Sequence, residues 1–417
     1  MQMVQNESAD RVIFLDNIRY LMVTLVVVLH SALGYTNNAS WWTVNDENSI
    51  FIDYLLGVLD VFLMPTLFFI AGYFTLPSLQ QKGKWLFIRG KLKRLGIPWL
   101  LGIFLLVPII NYIHFYSRGY PATLLSLWRK FTLNFQEVLS LPTGLITSTV
   151  KFHQHHFWFI SLLLVFFIVF AFLHDSTRKL IPSIFSYAKP KTSSLKSILL
   201  IFFLVGSLTT LLTIIIYGIF HETQNKDPWI IIASLIQFQA NKIVLYVSCF
   251  GLGVYAFSNQ WLKNGKAPGN FIFWTLLSIG LMYFQGKTLL FLINNFSIGL
   301  AIGYVIMRTF LVFTILLALL SFGIKHWNSP SVFNRQLAAN SYNIYLLHML
   351  FVIVVQLLLL KWFGIPIFFK FGIVTLSTIL LSYLISQYAV RPFPKLSVAG
   401  MIALFVLLTA LLSPTAS

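Results

Sequence analysis

The chain has 417 residues, of which 58% are hydrophobic and only 10% are charged. Soluble domains carry about 25% charged residues, so this composition excludes a chain that mostly faces water. The net charge of +18 does not indicate nucleic-acid binding, because the basic residues lie in short segments beside apolar runs and not along one soluble face.

Apolar runs of roughly 20 residues, the length that crosses a bilayer, recur along the whole sequence. They predict an all-α polytopic transmembrane helix bundle of about 10–11 spans. The segments between the spans are too short for a separate folded domain, so residues 1–417 are expected to form one integral membrane domain. The predicted spans are 18–35, 51–76, 95–116, 157–173, 197–220, 242–257, 270–292, 299–324, 341–362, 366–390 and 396–412.

The distribution of Lys and Arg predicts the orientation of the chain. Segments 77–94 and 174–196 are rich in basic residues, whereas 36–50 has none. Because Lys and Arg favour cytoplasmic loops, the amino terminus is predicted to be cytoplasmic, with the first span as an uncleaved anchor. The long segment 117–156 is a partial exception, as longer loops follow the rule less closely.

The first span, "DNIRYLMVTLVVVLHSALGY" (16–35), carries Arg19 and His30 eleven residues apart. At about 100° per residue this is three turns plus roughly 20°, so both side chains lie on one face, about 16 Å apart along the axis. Asp16 precedes Arg19 by three residues and can pair with it. Arg19 is either a snorkelling anchor or a site residue. His30 is either a buried structural histidine or a base that accepts a hydroxyl proton.

Later elements add polar or helix-breaking residues to apolar runs. The second span contains "VFLMPTLFFIAGYF", in which Pro65 and Gly72 permit a kink or a close approach. Next comes "IRGKLKRLGIPWLLGIF", a cation cluster followed by Pro98 in a first helical turn. The fourth span opens with "KFHQHHFWFISLLLVF" and the ninth with "NSYNIYLLHML", and "VRPFPKL" follows the tenth.

These stretches, together with the spacing of Arg19 and His30, resemble the membrane-bound acyltransferase-3 family, particularly its branch that acylates polysaccharides. The resemblance runs over about 14–394 and leaves the last span, 396–412, outside it. It implies transfer of an acyl group from cytoplasmic acyl-CoA (acetyl-CoA or succinyl-CoA), without a metal, to a hydroxyl of a carbohydrate on the other side. The implied location is the inner membrane of a bacterium, with a glycan or lipid-linked sugar as acceptor and other envelope-biosynthesis proteins as potential partners.

The resemblance also assigns residues. The motif histidine and arginine fall on His30 and Arg19, which implies that His30 deprotonates the acceptor hydroxyl, that Arg19 contacts the cofactor and that Asp16 holds Arg19. The family's R-x-x-R falls on Lys91 and Arg94, so the first cation lacks the bidentate fork of arginine. Its SGF/SGY signature reads Ala71-Gly72-Tyr73 here, without the hydroxyl. Cofactor binding is expected at Arg89, Lys91, Arg94 and Arg308, and substrate binding at His156, Trp158, Tyr345 and His348.

Several of these residues also have structural interpretations. An arginine inside an apolar span is costly, so Arg308 either lines a pore or forms a structural ion pair. His348 can bridge helices, and Trp158 and Tyr345 can be core aromatics. The run His153, His155 and His156 lacks a regular metal-ligand spacing. Asp53 and Asp60, seven residues apart on one face, are helix-start charges or acceptor contacts.

Two other classes of function are compatible with a polytopic bundle that has buried polar residues. A secondary transporter often shows two similar halves, but neither the 82–94 cation cluster nor the "DNIRYLMVTLVVVLH" element has a second copy. A non-catalytic protein of an envelope assembly is the other alternative.

Overall fold

The computed structural model describes residues 12–39, 41–120, 122–139, 146–147, 154–180, 194–220, 229–232, 236–262, 268–295 and 297–412. In these ranges, eleven helices are long and apolar enough to cross a membrane. The predicted all-α polytopic fold is therefore confirmed. The spans are α1 (Ile13–Ala32), α2 (Ile50–Lys82), α3 (Lys84–Ser117), α5 (Trp158–Leu180), α6 (Leu195–Phe220), α7 (Ala240–Ser258), α8 (Phe271–Asn294), α9 (Ile298–His326), α10 (Val332–Leu359), α11 (Ile367–Val390) and α12 (Pro394–Leu411).

The cation cluster lies on helices, so the predicted end of the second span at 76 and the predicted start of the third at 95 are wrong. Helix α2 continues to Lys82, and α3 begins at Lys84 after a break at Gly83, whose φ is 73°. This left-handed conformation suits glycine and turns the chain within one residue. Helix α3 then contains two π-helical segments, Leu92–Gly96 and Gly102–Leu106. Such segments often occur at functional sites, and Arg94 lies in the first.

Helices α2 and α7 form a close parallel pair. A Cβ added at Gly72 would lie 2.1 Å from the Phe250 carbonyl oxygen, and one at Gly253 would lie 2.0 Å from the Phe69 carbonyl oxygen. Both positions therefore exclude any larger residue. Near the start of both helices Lys242 pairs with Asp60, so the two helices run in the same direction.

The remaining helices divide into an inner and an outer set. Helix α1 packs on α2, α9, α10 and α11, and its residues Leu15, Met22 and Val27 are fully buried. Only 11% of the apolar window of α8 and 0% of that of α12 are buried. The outer helices expose Leu, Ile and Phe side chains, as lipid-facing helices do.

A small non-helical region packs between the spans. Strands β1 (Ile146–Thr147), β2 (Trp229–Ile232) and β3 (Ile236–Gln239) form an antiparallel sheet. Ile231 and Gln237 are buried, and β3 packs on α5. Helix α4 (Leu124–Leu139) lies in the segment predicted as a long loop, and residues 140–145 and 148–153 lie outside the described ranges.

Candidate active site

Two histidines from distant parts of the sequence meet where α1 packs on α10. His30 on α1 and His348 on α10 have ring centroids 5.0 Å apart. His348 Nδ1 lies 2.6 Å from the Tyr345 carbonyl oxygen, and His348 Nε2 lies 3.1 Å from His30 Nδ1. A carbonyl oxygen can only accept, so His348 donates from Nδ1 and, when neutral, accepts at Nε2.

This arrangement determines the tautomer of His30. His30 Nδ1 lies 3.0 Å from the Val26 carbonyl oxygen as well as 3.1 Å from His348 Nε2. Both neighbours are acceptors, so His30 carries its proton on Nδ1, and the lone pair is on Nε2. None of the described residues hydrogen-bonds this Nε2, and His30 is only partly buried. The lone pair can therefore accept a proton from a bound hydroxyl.

A third histidine completes the cluster. The ring centroid of His156 lies 4.9 Å from that of His348, and His156 Nε2 lies 3.3 Å from the Leu346 carbonyl oxygen, to which it donates. The Tyr345 hydroxyl donates to the His156 carbonyl oxygen. His156 Nδ1 is buried and has no hydrogen-bond partner among the described residues. An unpaired buried acceptor is costly.

The start of α5 sets the position of His156. Gln154, fully buried, accepts from Trp99 Nε1 at 3.1 Å, and its backbone N–H donates to Gln237 Oε1 at 3.2 Å. His155 has a φ of 48°, a left-handed conformation that is uncommon for histidine and concentrates at functional sites. A Cβ at Gly102 would lie 2.2 Å from the Phe157 ring. Helix α3, β3 and this strained turn together aim His156 at His348.

The segment between α1 and α2 covers His30 and was not predicted as part of the site. The Trp42 ring stacks on His30, with centroids 6.0 Å apart and an interplanar angle of 23°. Trp42 Nε1 donates to Gln356 Oε1 at 2.9 Å, and Gln356 Nε2 donates to the Ser31 carbonyl oxygen at 3.0 Å. Arg118 donates to the Trp42 carbonyl oxygen at 2.6 Å. The sequence indicates Gln356 only as a polar residue in an apolar run, two turns after His348.

Arg19 and Asp16 form the predicted pair at the end of the bundle where α1 begins. Arg19 lies 2.9 Å from Asp16 Oδ1 and 3.4 Å from the Ala338 carbonyl oxygen on α10. A cavity of about 390 Å³ opens beside Asp16 and Ala338, and Asn17, Asn334 and Arg335 contribute to its wall. Arg19 keeps 34% of its side-chain surface exposed, so it can contact a ligand from this end.

Two of the predicted cofactor-binding cations are exposed at the same end, and a third is covered by aromatic rings. Arg89 and Arg94 are exposed, and Arg94 lies within electrostatic range of Tyr342, one helical turn after Ala338. The ammonium of Lys91 lies 3.7 Å from the centroid of the Phe167 ring, a cation–π contact. The Lys91 ammonium therefore contacts an aromatic ring in the structure, whereas the sequence analysis expected it to contact the cofactor.

Arg308 lies apart from those cations. Its guanidinium is 3.1 Å from Asp60 Oδ2, and Lys242 Nζ is 2.8 Å from both oxygens of the same carboxylate. The acid partner of Arg308 could not be identified from the sequence. This triad lies in the half of the bundle opposite Arg89 and Arg94, because α2 runs from Asp60 towards Lys82.

The other two predicted substrate residues are aromatic. Tyr345 is buried within the histidine cluster, with its ring centroid 5.6 Å from that of His348. Trp158 is half-buried and stacks on Tyr246 at 5.9 Å and 26°. Trp158 thus contacts Tyr246, which itself lies within electrostatic range of Arg308.

No group of three or more His, Cys, Asp and Glu side chains with metal-binding geometry occurs among the described residues. His153, part of the histidine run in the sequence, lies outside the described ranges. The nearby His155 donates from Nε2 to Asn111 Oδ1 at 2.9 Å.

Comparison with known proteins identifies the family. The sequence profile of an acyltransferase domain, that of the acyltransferase-3 family, matches residues 12–387. The chain belongs to the acyltransferase-3 family. It is thus a multi-pass membrane protein of an acyltransferase family.

The named relatives of this acyltransferase-3 protein share only about a quarter of their residues with it. Glucans biosynthesis protein C of Salmonella heidelberg (strain SL476) is 26% identical over 260 residues, 61% of this chain and 60% of that protein. The proteins of the same name from Salmonella schwarzengrund (strain CVM19633) and Salmonella paratyphi A (strain ATCC 9150 / SARB42) are also 26% identical, over 61% of this chain and 60% of each relative. The match thus spans about three fifths of these relatives. No solved structure matches the chain significantly.

Gly72 is the glycine of the family's SGF/SGY signature, and the structure shows why this position has no room for a side chain. The sequence departs from the family signature at Ala71, but Gly72 lies against the Phe250 backbone of α7. A glycine is required at this position because helices α2 and α7 approach each other closely. The Ala71 departure leaves that contact unchanged.

Proposed function

We propose that this protein transfers an acyl group from acyl-CoA, bound at the cytoplasmic side, to a hydroxyl group of a carbohydrate on the opposite side of the membrane. The observation that carries the proposal is the accessible lone pair of His30 Nε2, held by the donation of His30 Nδ1 to Val26 and His348. The names of the relatives support a glucan as the acceptor.

The reaction uses His30 as both base and acid. His30 Nε2 takes the proton of the acceptor hydroxyl, and the oxygen attacks the thioester carbonyl carbon. The tetrahedral intermediate then expels the CoA sulfur as the C–S bond breaks, and His30 returns the proton to the thiolate. His348 positions the His30 ring, and His156 packs beside His348.

The donor is proposed to bind at the end where α1 begins. Arg19 and Arg94 supply cations for the phosphates of CoA through charge-assisted hydrogen bonds. The rise of about 16 Å along α1 from Arg19 to His30 is comparable with a pantetheine arm, on the order of 15–20 Å. The side chains of Tyr342 and Tyr345 lie between Arg19 and the histidines along α10. The distribution of Lys and Arg, which favours the cytoplasm at the cation-rich end, supports donor binding there.

The test uses protein purified into proteoliposomes, with radiolabelled acetyl-CoA or succinyl-CoA on one side and glucan oligosaccharides on the other. We expect label on the oligosaccharide and release of free CoA that depends on the acceptor. His30→Gln should lower kcat by about 10²- to 10⁴-fold, the usual contribution of a general base. His326→Gln, which changes an exposed histidine at the end of α9, is the matched control.

Undiminished transfer by a stably inserted His30→Gln protein would remove His30 from the chemistry. Net movement of an intact solute without acyl transfer would instead favour a transporter.

A further inference from the structure

A second polar site lies in the other half of the bundle, away from the histidines. Asp60 on α2 contacts Lys242 on α7 at 2.8 Å and Arg308 on α9 at 3.1 Å. Arg308 also donates to the Tyr304 hydroxyl at 3.4 Å. Asp60 and Arg308 each lie ten residues after the start of their helices, and Lys242 lies two residues after the start of α7. We call Asp60, Lys242 and Arg308 the ionic triad.

The carboxylate is the most exposed group of the ionic triad. The Asp60 side chain keeps 49% of its surface accessible, compared with 10% for Lys242 and 20% for Arg308. Helices α7 and α9 flank this carboxylate, and Tyr217 on α6 is also within electrostatic range of Arg308. A charged group at this depth faces water or a polar ligand, because exposure to lipid is too costly.

The charges of the ionic triad are unbalanced. Two cations share one carboxylate, and Asp60 is the only acidic side chain that contacts either cation in the described part of the chain. The guanidinium N–H groups of Arg308 beyond those bonded to Asp60 and Tyr304 have no partner among the described residues. One further anion would balance the site and could be bound by the guanidinium fork.

Aromatic rings connect the ionic triad with the histidine cluster. Tyr246, near Arg308, stacks on Phe68 with centroids 4.9 Å apart. Phe68 contacts Phe159 at 5.1 Å, and Phe159 contacts Tyr345 at 5.7 Å. Trp158 stacks on Tyr246 and remains half-buried. The rings of Phe68, Phe159, Tyr246 and Tyr345 are buried and form packed core, so Trp158 is the ring of this set against which a sugar could pack.

We propose that Asp60, Lys242 and Arg308 bind an anionic group, a carboxylate or a phosphate, carried by the carbohydrate acceptor. This inference rests on the proposed function and specifies its substrate class as an acidic or phosphate-linked oligosaccharide. Arg308 and Lys242 bind the anion. Asp60 holds both cations in place when no ligand is bound. The hydroxyl that is acylated then lies at His30, some sugar units away from the anionic group.

The experiment compares four acceptors on the purified protein in nanodiscs. They are a neutral maltopentaose, the same sugar with a terminal uronic acid, its 6-phosphate and a lipid-diphosphate-linked pentasaccharide. We expect kcat/KM for the anionic sugars to exceed that for the neutral sugar by roughly tenfold or more, the least that one hydrogen bond between charged groups provides. Comparison of the sugar 6-phosphate with the lipid-diphosphate-linked pentasaccharide shows whether the recognised charge is on the glycan or on its lipid carrier.

Variants separate recognition from folding. Arg308→Gln should abolish the preference for anionic acceptors, and the double variant Asp60→Asn/Arg308→Gln, which removes both charges of one pair, should not restore it. Lys287→Gln, at an exposed cation on α8, should keep the preference. Binding of the acidic sugar by thermophoresis, without donor, should weaken in parallel for Arg308→Gln.

Three outcomes are decisive. Equal kcat/KM for neutral and anionic acceptors in the wild type would overturn the anion subsite but leave the acyltransferase proposal intact. Restoration of all activities by the double variant would make the ionic triad purely structural. Binding of the acidic sugar without any acyl transfer would support the subsite and overturn the proposed reaction.

Discussion

The histidine cluster and the ionic triad are both polar groups inside an apolar bundle, but their polar atoms find hydrogen-bond and ion-pair partners in different ways. The rings of His30, His348 and His156 donate to carbonyl oxygens or to one another. The ionic triad uses side-chain charges from three helices. A neutral cluster bonded to backbone can leave a lone pair accessible, as a base requires, whereas a charged cluster suits recognition of a charged ligand.

The largest expected effect tests whether the backbone-bonded cluster controls the tautomer of His30. In His348→Phe the aromatic packing is kept, but His30 Nδ1 loses the acceptor at 3.1 Å. We expect kcat to fall by about 10²-fold, because His30 Nδ1 then keeps only the Val26 carbonyl oxygen as acceptor and the tautomer with its proton on Nε2 becomes more populated. Steady-state kinetics with varied acceptor checks this, and KM for the acceptor should change little.

Loss of acceptor binding with kcat unchanged would show instead that His348 contacts the carbohydrate. His348→Asn, whose amide nitrogen can donate to the Tyr345 carbonyl oxygen and whose amide oxygen can accept from His30, should recover part of the rate. That recovery separates a positioning role from a packing role.

The second prediction concerns the helix pair that carries Asp60 and Lys242. Gly72→Ala places a methyl group 2.1 Å from the Phe250 carbonyl oxygen, so α2 and α7 must move apart. We expect destabilisation by about 1–3 kcal/mol, as for other overpacked cores. Thermal unfolding in detergent measures this change.

A matched control exists on the same helix. A Cβ at Gly57 meets no atom within 4 Å, so Gly57→Ala should stabilise α2 slightly, by about 0.5–1 kcal/mol. Equal effects of the two substitutions would mean that the contact at Gly72 does not hold α2 against α7.

The third prediction separates the two ends of the bundle by their ligands. Arg94→Gln removes an exposed cation at the end where α1 begins, and we expect KM for acyl-CoA to rise about tenfold, the loss of one charge-assisted phosphate contact. KM for the carbohydrate should stay unchanged. Lys91→Met should raise KM for acyl-CoA less, because the Lys91 ammonium lies over the Phe167 ring.

An increase in KM for the carbohydrate with Arg94→Gln would contradict the assignment of this end to the donor. Kinetics at varied donor and fixed acceptor, and the reverse, supply both constants from one preparation.

The sequence predicts those parts of the molecule that depend on one helix. The common face of Asp16, Arg19 and His30 follows from helical periodicity, and the structure shows the Asp16–Arg19 pair. Apolar runs predict the spans. The end of α2 was missed because the cations that follow Leu79 look like a loop, although only Gly83 interrupts the helix.

Contacts between distant segments could not be predicted in this way. Asp60 and Arg308 are 248 residues apart, and no periodicity connects them. The orientation of His156 depends on the left-handed backbone of His155 and on Gln154 contacts from α3 and β3. Trp42 lies in a polar connecting segment, where nothing in the sequence indicates that it stacks on His30.

The smallest expected effect concerns this stacked tryptophan and shows how far the cluster extends. Trp42→Phe keeps a ring beside His30 but loses the hydrogen bond to Gln356. We expect a loss of about 1 kcal/mol in stability, the net value of one such bond, and a change in kcat of less than roughly threefold, since 1.4 kcal/mol would be needed for tenfold. Trp41→Phe, at the exposed neighbouring position, should change neither quantity. A decrease in kcat comparable with that of His348→Phe would mean that the segment between α1 and α2 takes part in the chemistry, because Trp42 would then hold the substrate against His30 and not merely cover the ring.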